Sequence, residues 1–214
     1  MNMFSKQNHE ENSELILSDE DHNENPPKEE NGIIEIIRFS IIALLIVIPI
    51  RMFIAQPFIV SGASMAETFH TGEYLIVDQV SYYLNDPSRG DVIIFRYPRD
   101  PSKYFIKRVI GLPGETITIE DSQVMIKNAD YPEGFYLDEP YVRSMRTPER
   151  TEQILGSREY FVMGDNRDES SDSRAWGVLQ KERIVGRAFL RLFPPTAVEV
   201  LPGAISGNEI RVIN

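Results

Sequence analysis

The stretch Tyr104-Phe105-Ile106-Lys107-Arg108-Val109-Ile110 decides how the rest of this chain is read. Read as a strand, its period of two places Phe105, Lys107 and Val109 on one face and Ile106, Arg108 and Ile110 on the other. The turn sequence Leu112-Pro113-Gly114-Glu115 closes it. Working outward, runs rich in Val, Ile, Phe and Tyr recur at Glu73–Val80, Asp91–Tyr97, Thr116–Ile119, Gln123–Lys127, Tyr160–Met163, Ile184–Phe193 and Val198–Leu201. Between them stand Asp86-Pro87, Arg89-Gly90-Asp91 and Gly164-Asp165-Asn166, all turn chemistry. No stretch beyond Gln56 keeps a long period of 3.6, so the expectation is a mostly β domain over residues 57–214.

Composition narrows the function. The chain has 214 residues, enough for one globular domain with appendages. It has no Cys, which removes disulfides, thiolate nucleophiles, Cys zinc sites and iron–sulfur clusters. A formal net charge of −11 argues against nucleic acid as a partner, since phosphate contacts need a basic face.

The charge is concentrated at the N-terminus. Residues 1–32 hold nine acids and two bases, few apolar residues and the pair Pro26-Pro27. Such a segment buries too little surface to offset its ordering entropy, and is expected to be a disordered acidic tail. At Ile33 the composition inverts. Ile33–Ile54 is one apolar segment broken by Glu35, Arg38, Pro49 and Arg51, and is read as a single transmembrane helix. Its uncharged centre is short, but Glu35 and Arg38 stand three apart and can pair, while Arg51 can snorkel; about 22 residues at 1.5 Å each then reach about 33 Å. The acidic tail replaces the short basic region of a cleavable signal peptide. Lys28 and Arg51 flank the span on either side, so charge alone leaves its orientation open.

Several chemistries fail on inspection. His9 and His22 fall in the tail, leaving His70 alone in the folded part and no metal site. The cluster Asp168, Glu169, Asp172 has Ser173 where a calcium loop needs its turn Gly and Leu179 where it needs Glu. A Ser-x-x-Lys motif at Ser64 is broken by Glu67. His70, six residues after Ser64, reads as an exposed turn residue before Thr71-Gly72.

Two features stay suggestive. Ser61-Gly62-Ala63-Ser64-Met65 follows the extended Pro57-Phe58-Ile59-Val60, and small residues before a Ser let backbone N–H groups approach a substrate carbonyl; a plain loop reads the same way. Lys107, between apolar neighbours, is a candidate for a depressed pKa. An edge-strand lysine that discourages aggregation is the alternative.

Taken together these blocks carry a resemblance. The apolar span, Pro57-Phe58-x-Val60-x-Gly62-x-Ser64-Met65-x-x-Thr68, Lys107-Arg108-Val109-x-Gly111-x-Pro113-Gly114-Glu115, and Gly164-Asp165-Asn166-Arg167 with Ser170, Asp172, Ser173, Arg174 and Trp176-Gly177 closely resemble bacterial type I signal peptidase. The likeness runs from about Ile33 to Phe193. It implies a membrane-tethered, mostly β serine protease that removes signal peptides from exported preproteins without metal or organic cofactor. Its partners would be those preproteins and the lipid bilayer, with the tail cytoplasmic and the β domain outside.

Carried over by position, the resemblance makes Ser64 the nucleophile and Lys107 the general base. It has Ser170 hydrogen-bonding and orienting the amine, with Asp172 and Arg174 as an ion pair beneath. The oxyanion donors would be the Ser64 backbone N–H and a backbone group at Gly62, and Phe58, Val60, Phe69 and Ile106 would line shallow pockets for small side chains. One departure stands out. The family usually has Pro two residues after the Met, where this chain has Glu67. Two other classes share parts of the pattern: a self-cleaving Ser/Lys repressor, which would need a DNA-binding domain, and an inactive membrane-anchored binding module.

Overall fold

The computed structural model of the chain describes residues 32–49, 55–143 and 150–205. Residues 1–31 of the expected disordered tail (1–32) and the last five residues of the expected span, Ile50–Ile54, lie outside these, while Gly32, read as the end of the tail, is the first residue of a helix. Helix α1 covers Gly32–Pro49, with none of its residues buried, and is the one helix among the described residues long and apolar enough to cross a membrane. At 1.5 Å per residue it is about 27 Å long, close to the thickness of a hydrocarbon core. Glu35 and Arg38 are not joined by an ion pair; long side chains on an exposed helix gain little by being held in one geometry.

Beyond it the chain is mostly β, as expected. The strands are β1 (Ala55–Ile59), β2 (Tyr74–Asp78), β3 (Val92–Arg96), β4 (Tyr104–Gly111), β5 (Thr116–Glu120), β6 (Gln123–Lys127), β7 (Phe135–Tyr136), β8 (Thr151–Ile154), β9 (Glu159–Met163), β10 (Leu179–Gln180), β11 (Ile184–Phe193) and β12 (Glu199–Val200). Two one-turn helices, α2 (Ser81–Leu84) and α3 (Ser173–Trp176), punctuate them. The larger sheet runs β1-β2-β11-β3-β4-β9-β10 with β12 added on β11, and the smaller runs β7-β6-β5-β8. All pairings are antiparallel. Because β4 and β9 are hydrogen-bonded neighbours, the smaller sheet is an excursion that leaves the larger one after Gly111 and returns at Glu159. At its first hairpin Asp121 and Ser122 both take positive φ, the two-residue turn that matches strand twist.

The alternation read in Tyr104–Ile110 carries into the packing. Val92, Ile94 and Ile106 join Val60, Met65, Phe69, Leu75 and Val77 in one apolar cluster, while Ile93, Phe95, Phe105 and Val109 join Val162 and Leu179 in another. Strand β3 is thus covered on both faces, which is why it reads as a continuous apolar run. Ile110 departs from this. A register shift between Val109 and Gly111 turns it into a third cluster with Ile117, Ile119, Val124 and Ile126 of the smaller sheet.

Candidate active site

Ser64 sits on the loop between β1 and β2, closed at its base by Val60 N–H to Glu73 O (2.9 Å) and Gly72 N–H to Val60 O (2.9 Å). Gly62 has φ of +106°, a conformation that suits only glycine and lets the loop fold back toward Thr71. The next turn is tight. Ala66 N–H donates to Ala63 O (3.0 Å), and Thr68 and Phe69 N–H both donate to Met65 O (2.8 and 2.6 Å). Met65 and Phe69 are buried and pin this turn to the core, so Ser64 sits at the end of a fixed segment.

Lys107 projects from β4 toward that segment. Its Nζ lies 2.6 Å from Ser64 Oγ and donates to the Ile106 carbonyl at 2.9 Å. The side chain is buried, and burial lowers its pKa from 10.5 to about 8 against the pull of the Asp172 and Asp165 carboxylates, which favour the ammonium. Both carboxylates are bound by guanidinium groups. Asp172 takes Arg174 Nε and Nη2, each at 2.8 Å, and Asp165 takes Arg108 Nε and Nη2 at 2.8 and 2.6 Å. Desolvation is the largest of these effects on the amine and prevails. A buried amine of lowered pKa against a serine hydroxyl can, in its neutral form, accept the hydroxyl proton, which makes the oxygen a nucleophile.

The expected supporting residues fall into two groups. Asp172 and Arg174 pair as the resemblance implies, and Asp172 Oδ2 also accepts the Gly164 N–H (3.1 Å) while Oδ1 accepts the Arg174 N–H (3.2 Å) at the start of α3. Ser170 differs. Among the described residues its buried hydroxyl has no hydrogen-bond partner, because the acceptors of the Lys107 amine are Ser64 Oγ and Ile106 O. It still borders the site, for a Cβ added at Gly164 would lie 2.3 Å from both Ser170 Oγ and the Ser64 carbonyl.

Gly62 also differs from expectation. Its N–H donates to Thr71 Oγ1 at 3.1 Å and its carbonyl accepts the Thr71 hydroxyl at 3.2 Å, so the backbone donor expected there is already committed. Beside Ser64 and Lys107 lies a cleft of about 490 Å³. Phe58, Val60 and Ile106 line it as expected, together with Leu75, Ile94, Tyr104 and Phe105. Phe69 does not. It is fully buried, its ring under the Arg191 guanidinium at 5.0 Å, because the Met65–Phe69 turn directs it inward. His70 is exposed in a turn, as read from the sequence.

Other contributors were given no role from the sequence. Arg108 is 1% exposed and, besides Asp165, donates to the carbonyls of Gly90 and Gly203 (2.8 and 2.6 Å). Thr68 Oγ1 donates to Asp165 Oδ2 (2.5 Å), joining the nucleophile turn to the same pair. Asn166 donates from its backbone to Ser64 O and from its side chain to Ala63 O, both at 3.1 Å. Arg167, buried, donates to Glu139 through Nη1 (2.9 Å) and Nη2 (2.5 Å). The alternating strand placed Arg108 opposite Lys107, and Asp165, Asn166 and Arg167 belong to a quoted motif; Glu139, 28 residues from its partner, carried no signal.

A β scaffold that sets a serine hydroxyl on a buried lysine beside an apolar cleft defines a hydrolase of the serine type. The family described as signal peptidase, peptidase S26, matches residues 33–193, and the chain belongs to that family. Among its relatives, the probable signal peptidase I-2 of Synechocystis sp. (strain PCC 6803) is 35% identical over 184 residues, covering 83% of this chain and 80% of the relative. Signal peptidase I of Bacillus licheniformis is 32% identical over 182 residues (80% and 94%), and signal peptidase I T of Bacillus subtilis (strain 168) is 35% identical over 179 (78% and 89%). A solved signal peptidase I from Enterococcus faecalis V583 superposes with a TM-score of 0.41 at 29% identity, covering 48% of this chain and 97% of the other. The chain is accordingly a serine endopeptidase.

Proposed function

We propose that this protein removes N-terminal signal peptides from exported preproteins through an acyl-enzyme on Ser64, with Lys107 as general base. The observation that carries this reading is the 2.6 Å contact between Lys107 Nζ and Ser64 Oγ, made by an amine whose pKa lies near 8. At pH 7 about one such lysine in ten is neutral, against roughly one in 2,500 for an unperturbed one. As Ser64 Oγ attacks the scissile carbonyl, Lys107 takes its proton. The negative oxygen of the tetrahedral intermediate is met by the Ser64 N–H. The ammonium then protonates the leaving amine, and the neutral amine activates water to hydrolyse the ester. Every step draws on side chains and backbone of this chain.

The cleft walls of Phe58, Val60 and Ile106 suit small apolar substrate side chains beside the scissile bond. The α1 segment would anchor the domain at the membrane, the tail on the cytoplasmic side and the β domain outside, where signal-peptide cleavage sites emerge. The test is cleavage of a signal-peptide-bearing preprotein by the full chain in detergent micelles. Ser64→Ala and Lys107→Ala should each abolish processing while the chain still folds; turnover by either variant at the wild-type rate would refute the assignment.

A further inference from the structure

We infer that Asn166 is a positioning residue for the oxyanion donor: by holding the Ala63 carbonyl it fixes the Ala63–Ser64 peptide plane and so aims the Ser64 N–H. The inference rests on the reading of Ser64 as the nucleophile and deepens it. It begins with a shortage of donors. With Gly at position 62 there is no side-chain hydroxyl to offer, and the Gly62 N–H is bound to Thr71 Oγ1. Among the described residues of the nucleophile loop, the Ser64 N–H is left as the donor that adjoins Oγ. The orientation of that one N–H then governs how well the developing negative charge is met.

A trans peptide is planar, and its C=O and N–H point in opposite directions. Whatever fixes the Ala63 carbonyl therefore fixes the Ser64 N–H. Two donors do so, the Ala66 N–H at 3.0 Å from within the turn and Asn166 Nδ2 at 3.1 Å from the far side of the site. The Ala66 bond ties the carbonyl only to its own turn, which the core holds from the Met65 and Phe69 side. Asn166 adds a hold from the opposite side, because its own backbone N–H also grips the Ser64 carbonyl at 3.1 Å, so one residue holds both carbonyls that flank Ser64 N–Cα. Its position is in turn set by neighbours on both sides: Asp165 is held by Arg108 and Thr68, and Arg167 by Glu139 and the Gly164 carbonyl. Asn166 does not line the cleft, so a substrate in the cleft has no reason to sense its side chain directly.

The test uses the full chain in detergent micelles and compares wild type, Asn166→Leu, Asn166→Ala and Ser64→Ala. Leu nearly matches Asn in shape and Ala does not, yet both remove the side-chain donor and keep the backbone N–H. Both should lower kcat about 10-fold or more on a signal-peptide substrate and change KM by less than about 2-fold, since only the transition state uses the donor. The rising limb of the pH profile should stay in place, because Lys107 is untouched. A peptide aldehyde, whose hemiacetal oxygen occupies the oxyanion position, should lose affinity by the same factor as kcat, while the cleaved product peptide should bind as before. Wild-type kcat in Asn166→Leu would overturn the inference. So would equal losses for aldehyde and product, or a displaced pH limb, which would mark a general disturbance of the site. Turnover by Ser64→Ala would instead overturn the reading of the nucleophile, so the two failures are distinguishable.

Discussion

Arg143 Nε pairs with Glu67 Oε2 at 2.6 Å, tying the residue three positions after Ser64 to the segment that leads out of β7. Glu67 stands where the resemblance would place Pro. The side chain is 23% exposed and its carboxylate is held by a guanidinium. The charges that act on Lys107 are those of Asp172 and Asp165. Glu67→Pro should accordingly leave the rising limb of kcat/KM against pH within about 0.3 units of wild type, and Arg143→Ala, whose side chain is 83% exposed, should do the same. A limb displaced downward by a unit or more in Glu67→Pro would place the carboxylate in the site after all.

The depressed lysine sets the direction of the pH profile. Because the base acts when neutral, kcat/KM should climb with pH through about 8 and level off above it. Lys107→Arg should be inactive across this range, since a guanidinium keeps its proton. A profile already flat at pH 6 would contradict a lysine base.

The same lysine should weaken the fold. Below pH 8 the folded protein holds an ammonium in a site that disfavours it, whereas the unfolded chain carries it freely, so the full penalty applies. Between about 8 and 10.5 the folded lysine is neutral while the unfolded one still binds a proton, and the penalty shrinks; above 10.5 it is gone. Lys107→Met should therefore be inactive but more stable at pH 7, by about 3 kcal/mol at 1.36 kcal/mol per pKa unit. Thermal melts at pH 7 and pH 10.5 should show the gap between variant and wild type closing as pH rises. A gap that widens would reverse the sign.

Arg108 and Asp165 form the ion pair whose loss should be felt most. Their side chains are 1% and 0% exposed, so Asp165→Ala strands a buried guanidinium and should destabilise by about 3–5 kcal/mol. Removing the exposed Lys103–Asp100 pair by Lys103→Ala should change stability by less than about 1 kcal/mol. Denaturant titration of both variants measures the contrast, and comparable losses would deny the role of burial.

Placement can be checked in cells. External protease added to spheroplasts should digest the β domain and spare a tag on Met1. A protected domain with a digested tag would invert the proposed topology and remove access to exported substrates.

The strands legible in the sequence were those with their own apolar pattern. β3, β4, β5, β6 and β9 each bury most or every second residue, and a local period suffices to find them. β8 and β10 were not legible, because Thr151–Ile154 lies half-exposed along the edge of the smaller sheet and Leu179–Gln180 is two residues long; both exist through pairing with a distant partner. The Ser64–Lys107 pair was legible through a motif whose two halves stand 43 residues apart, which no local rule connects. Phe69 was misplaced because a resemblance assigns positions, whereas the direction of a ring depends on the hydrogen bonds of its own turn. The commitment of Gly62 to Thr71 escaped for a similar reason, since a backbone N–H carries no residue identity.

The smaller sheet leaves and rejoins the larger one at adjacent strands, which gives it the form of a graft: a module that other sequences could replace, lengthen or shorten without breaking the ladder of β4 on β9. Two sutures qualify that freedom. Arg89 reaches Glu115 at 2.6 Å near the point of exit, and Arg167 reaches Glu139 deep within the module. Arg167 is wholly buried, so a chimera carrying every strand of a foreign module but no counterpart of Glu139 would take two charge-assisted hydrogen bonds from a buried guanidinium one residue from Asn166. The boundary of what can be exchanged therefore falls on two carboxylates, Glu115 and Glu139, and a domain swap designed from sheet edges alone would misplace it.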